Sequence, residues 1–204
     1  MMRKFILLVL ISGAIALSFT ERSYYDCSSC HKTLYDSTYN GGDIIRLPAI
    51  RFDLNKCTFL PDKDSVFNQS DTLKPVVKFI NEHPIFSFEL RVHSDTVNPY
   101  SATKLTQCRA KSITDRLIEL GVDRNRIVAR GMGESEPLRL DHTLHLPSGD
   151  SVTQGAVLTH KFIATKKGRK ADWEYLRMQN RRTDLKIIQV EVATPVDTTK
   201  HSGN

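Results

Sequence analysis

The sequence predicts an α/β sandwich, with helices packed on one face of a small mixed sheet. Three observations predict it. "IFSFELRVH" sets Phe86, Phe88, Leu90 and Val92 on one side of an extended run, the alternation of a half-buried strand. "SATKLTQCRAKSITDRLIELG", from Ser101 to Gly121, instead lines Leu105, Ala110, Ile113, Leu117 and Leu120 along one helical stripe. Such strand and helix patterns alternate along the chain, the signature of layered α/β architecture.

Taken in order, "IIRLPAIRFDL" (Ile44–Leu54) alternates Ile50, Phe52 and Leu54 with Arg51 and Asp53, and predicts a first strand, with Pro48 marking an edge or a start. "DTLKPVVKFINEH" follows as a helix on Leu73, Val76, Val77 and Ile80. After the second strand, Ser101 is the expected N-cap of the long helix and Gly121 its stop. "RIVARG" is a short strand. Glu134 to Lys170 reads as long and irregular, with one helical stretch around Val157–Ala164. "ADWEYLRMQ" is a further helix, and "TDLKIIQVEV" (Thr183–Val192) a last strand.

The ends carry different information. Arg3 and Lys4 precede the apolar run Phe5–Leu17, shorter than the about 20 residues a spanning helix needs. With the small residues Ala14, Ala16 and Ser18 at its end, this reads as a secretory signal over residues 1–18. Residues 19–44 read as a flexible, Cys-containing arm, 45–192 as the domain, and 193–204 as a disordered tail. Export permits disulfides, and Cys27, Cys30, Cys57 and Cys108 allow three complete pairings among which the sequence does not choose.

The 204-residue chain has a net charge of +6, but its basic residues are scattered, with no aromatic-laced stripe, so nucleic acid is not an expected partner. "CSSCH" (Cys27–His31) has the spacing of a haem attachment motif, yet the arm offers little apolar material for a haem pocket. A disulfide is the preferred reading there, either Cys27–Cys30 or a bridge to Cys57 or Cys108. Cys108 could equally be a small buried side chain. His142 and His145 lie in a polar segment and read as solvated loop residues, and no cofactor is expected. No nucleophile elbow, zinc-protease motif or phosphate-binding loop appears, so no enzyme activity is expected.

One pairing raises a functional question. Asp95 ends an apolar strand, and Arg109 sits on the early turns of the helix that follows. An ion pair would explain both; so would a two-point clamp for a zwitterion. The stretches "FDLNK" (Phe52–Lys56), "HSD" (His93–Asp95), "LTQCRAKSITDRLIELGVDRNRIVARGMGESEP" (Leu105–Pro137) and "NRRTDLKI" (Asn180–Ile187) resemble the OmpA C-terminal peptidoglycan-binding domain. The segment before "NRRT", including "GAVLTHKF", looks like the variant seen in Bacteroidetes-type members. The resemblance implies a βαβαβ(α)β domain and a non-catalytic function, anchoring the envelope to the cell wall through the diaminopimelate of the peptidoglycan stem peptide. It implies that Asp95 takes the ligand ammonium and Arg109 its carboxylate, with Asn55, Ser94 and Arg181 as further contacts and Arg182 as a packing or ion-pair residue. The implied location is the periplasm, against the wall and outer membrane, with envelope proteins as further partners. Three features depart from the family pattern: "DTVNPYSA" lacks the glycine after the acid, the loop from Asp95 to Arg109 is one residue shorter, and Ala102 stands where the family carries asparagine. The alternative is an adaptor of the same fold whose peptidoglycan pocket has degraded.

Overall fold

The computed structural model describes residues 31–60, 69–95 and 99–189. The expected signal segment 1–18, Cys27, Cys30 and the tail 193–204 lie outside the described residues. The main sheet has four strands in the order β1 (Ile44–Arg46), β6 (Thr183–Gln189), β2 (Phe86–His93), β3 (Ile127–Gly133). β2 and β3 run parallel; β6 is antiparallel to both β1 and β2. Helices α1 (Gln69–Glu82) and α2 (Pro99–Glu119) cover one face. There Phe88, Leu90, Leu185 and Ile187 of the sheet meet Ile80 and Ile113 of the helices, all fully buried. This is the predicted sandwich, and the alternation in β2 is what builds it: Glu89, Arg91 and His93 point to the opposite, charged face.

Two local expectations are corrected. The first strand is Ile44–Arg46, not the run around Ile50–Leu54. The later residues turn back on themselves: Asp53 N donates to Thr58 O (3.0 Å), Phe52 bridges Phe59, and Asn55 adopts a left-handed conformation at φ 55°. Asn tolerates that conformation better than most residues, so turn chemistry overrides the alternating pattern. Leu54 is left 87% exposed. The long helix begins at Pro99 rather than at a Ser101 cap, since proline loses nothing by lacking an N–H at the first helical position.

The packed body also reaches further toward the N-terminus than residue 45. Lys32 N donates to Ile44 O (2.8 Å), Arg46 N to Lys32 O (2.9 Å) and Gly42 N to Ile187 O (2.8 Å). Tyr39 meets the Phe79 ring edge-on at 4.8 Å.

The segment read as irregular has its own order. A hairpin of β4 (Leu144–His145) and β5 (Ser151–Val152) joins α3 (His160–Ala164) and α4 (Lys170–Asn180) around a second apolar cluster that includes Leu138, Leu140, Leu158 and Leu176. Buried Asn180 ties it together, accepting from Leu138 N (2.9 Å) and donating to Leu158 O (2.7 Å).

Candidate functional site

Arg109 is aimed by a close helix–strand contact and by a turn. At Gly131 on β3 a Cβ would lie 2.1 Å from Gln107 N, so only glycine lets α2 approach this closely. Gln107 then bonds β3 twice, accepting from Gly131 N (2.7 Å) and donating to Ala129 O (3.2 Å). Two residues on, Arg109 donates from Nε to Lys56 O (2.9 Å) and from Nη2 to Asp53 O (3.2 Å). Its guanidinium lies 4.9 Å from the centre of the Phe52 ring. A disulfide joins Cys57 to Cys108, each adjacent in sequence to one end of this arrangement. Cys108 is therefore exposed and bridged, not a buried free thiol. Burial, and then the charge of Arg181, lower the Arg109 pKa below the ordinary guanidinium value.

Asp95 follows β2 on backbone pinned from two sides: His93 N donates to Arg182 O (2.9 Å) and Ser94 N to Gly133 O (2.7 Å). Its Oδ2 accepts from Arg181 Nη2 (2.8 Å) and pairs with the charge of Arg177, whose Nε lies 2.6 Å away, and the side chain is 6% exposed. Burial alone would raise the Asp95 pKa. The hydrogen bond from Arg181 and the charges of Arg181 and Arg177 outweigh burial and hold it below the ordinary carboxylate value. Glu174 lies 3.2 Å from Arg177 and 3.6 Å from Arg181, so two acids face two bases here.

Two cavities lie at this end of the sheet. One, of about 410 Å³, is lined by Ser94, Asp95, Glu134, Trp173 and Arg177 among others. The other, of about 320 Å³, is lined by Arg46, Phe52, His93, Arg109, Arg181 and Arg182 among others. Arg109 and Arg181 thus share a cavity, Ser94 and Asp95 share its neighbour, and Arg181 links the two by its bond to Asp95. Asn55 is at the exposed tip of the turn that holds Arg109 and lines neither cavity.

The sequence reading missed two things. Arg177, four residues before Arg181 and four after Trp173, lies on the same side of α4; its guanidinium sits 4.3 Å from the Trp173 ring centre. That spacing was the available signal. The second is Asp184, 1% exposed on β6. It accepts from Arg182 Nε (2.9 Å) and Arg46 Nε (3.0 Å), and His93 Nε2 lies 3.2 Å away. Burial would raise its pKa, but the His93 bond and the Arg182, His93 and Arg46 interactions prevail and hold it far below the carboxylate range. His31, 3.8 Å from Asp184, is pushed down to about 4 by burial and then by Arg46. Burial likewise lowers His93. Elsewhere, His142 pairs with Asp141 and His145 with Ser151.

A mixed four-stranded sheet backed by two helices, with two cavities carrying charged side chains at the strand ends, defines the class: a small α/β sandwich. Residues 58–145 match the model of the OmpA family. Among curated relatives, Outer membrane protein A of Citrobacter freundii is 33% identical over 93 residues, 44% of this chain and 36% of that protein. Outer membrane porin F of Pseudomonas fluorescens is 31% identical over 90 residues, 44% of this chain and 26% of that protein. The match therefore spans only about a quarter to a third of those relatives. Among solved structures, the OmpA-like domain of FopA1 from Francisella tularensis aligns at 16% identity and TM-score 0.41, covering 76% of this chain and 86% of that one. The peptidoglycan-associated lipoprotein from Burkholderia pseudomallei aligns at 20% identity and TM-score 0.42, covering 68% and 87%. Among the described residues, no helix is long and apolar enough to cross a membrane.

Proposed function

We propose that the chain is an exported, non-catalytic domain that holds peptidoglycan non-covalently from the periplasm, by the free amino-acid end of diaminopimelate in the stem peptide. One observation carries the reading. Arg109 has its fork oriented by two carbonyls, faces no carboxylate among the described residues, and shares a cavity with Arg181, the partner of Asp95. A planar guanidinium in that setting suits a carboxylate, and the adjoining acid suits an ammonium.

Because Asp95 already holds two guanidiniums, binding is an exchange. The ligand ammonium replaces Arg181 at Asp95, and Arg181 turns within its cavity toward the ligand carboxylate beside Arg109. Charge is conserved at each carboxylate, so neither is left buried and unpaired. Ser94 lines the ammonium side, and Asn55 shapes the turn that supplies the Arg109 acceptors. The outer-membrane names of the relatives support an envelope location.

The test is co-sedimentation of the pure protein with purified sacculi. Asp95→Ala and Arg109→Ala are each expected to abolish capture while the fold survives, and free diaminopimelate is expected to compete. Full capture by both variants would reject the reading. The internal saturation of Asp95 favours one alternative, a protein-interaction adaptor on the same fold; failure of the wild-type chain to sediment would select it.

A further inference from the structure

Arg109 has a long flexible side chain, and nothing in α2 fixes where its guanidinium points. The direction comes from the carbonyls of Asp53 and Lys56, both in the turn spanning Arg51 to Leu60. That turn is held internally by Asp53 N to Thr58 O (3.0 Å), Lys56 N to Asp53 O (3.1 Å) and Leu60 N to Arg51 O (3.2 Å). Its tip is exposed, and partly buried Phe52 and Phe59, stacked at 5.1 Å, the two Arg109 bonds and one covalent link hold it to the domain. The link is Cys57–Cys108, with Cα atoms 5.7 Å apart. Cys57 directly follows the Lys56 carbonyl; Cys108 directly precedes Arg109. The chain thus closes a small ring: Arg109, Cys108, the sulfur bridge, Cys57, Lys56, and the hydrogen bond back to Arg109 Nε.

We propose that the Cys57–Cys108 disulfide is the positioning element for the carboxylate half of the site. It fixes the two acceptors against Arg109, and through them the orientation of the fork that selects a free carboxylate. The proposal rests on the wall-binding reading of the same cavity. Its logic is geometric: a two-pronged bond to a carboxylate needs the guanidinium plane held, whereas a point charge would attract an anion from any direction. An unstapled turn lets the acceptors drift, and Arg109 keeps its charge but loses its aim. Charge attraction survives; discrimination does not.

The test compares the full oxidised chain with Cys57→Ser/Cys108→Ser by calorimetry on a diaminopimelate stem peptide, the same peptide amidated at the free carboxylate, and the same peptide acetylated at the free amine. Wild type is expected to prefer carboxylate over amide by about tenfold or more. In the double variant that preference is expected to fall to about threefold or less, while rejection of the acetylated peptide persists. An unchanged preference, or equal weakening toward all three peptides, overturns the proposal, since a merely structural bridge would move every affinity alike. If the serine pair does not fold, Cys57→Ala/Cys108→Ala takes its place. If wild type binds none of the peptides, the wall-binding reading fails by itself. The positioning claim is then decided by the Arg109 Nε–H resonance: slow solvent exchange in wild type and fast exchange in the variant support it, and equal exchange overturns it.

Discussion

Asp184 and Asp95 are both acids on or beside the central strands, each gripped by two arginines at 2.6–3.0 Å. Asp184 has both oxygens engaged, a histidine alongside and almost no exposure. Asp95 has both arginines on one oxygen and borders a cavity. The same ion chemistry is closed in one case and interruptible in the other. Partner count does not separate a closed acid from an accessible one; exposure to a cavity and exchangeable partners do.

The largest effect that would test this contrast is on stability. Asp184→Ala leaves Arg182 and Arg46 without their shared carboxylate in a buried setting, and is expected to cost about 3–5 kcal/mol in urea unfolding. A loss below about 1 kcal/mol would erase the distinction. Asp95→Ala is expected to cost only about 1 kcal/mol or less, because Glu174 remains beside both arginines and Arg181 is partly exposed, while sacculus capture falls to background.

A smaller, graded effect separates the two sites by pH. His31 and His93 have folded pKa values below the ordinary 6.5, so the unfolded chain takes up protons first as pH falls. Their contribution to stability is full above the ordinary histidine value and declines below it, for His31 down to about 4. Asp184, depressed from 3.8, contributes fully above that value and loses its contribution as pH falls below it. Chemical denaturation from pH 7 to 4 should therefore show falling stability, and His31→Gln should flatten the slope. An unchanged slope would place the titration elsewhere.

Much of the sheet and its helices was legible because each buried face repeats its own period over many residues. β2 and α2 are the clear cases. The first strand was misplaced because three alternating apolar residues compete poorly with an Asp–Asn turn. The hairpin at Leu144 and Val152 is too short to show a period. At the site, Asp95 and Arg109 stood out locally, as an acid at a strand end and a base on the next helix, while their separate roles and Arg181 came from the family resemblance. The Asp184 cluster was invisible for a different reason: it depends on strand register, with Arg46 and Arg91 opposite Asp184 across two separate pairings. No local window contains that information.

α4 has two allegiances. Leu176 and Asn180 anchor the second apolar cluster, while Arg177 and the following Arg181 neutralise an acid belonging to the first. The two cores are bolted together through a charge. Fraying of the smaller unit lifts both guanidiniums away and uncovers a bare anion beside the larger one. In the proposed binding mode, access of a ligand ammonium to Asp95 is therefore governed by how tightly the smaller unit stays folded.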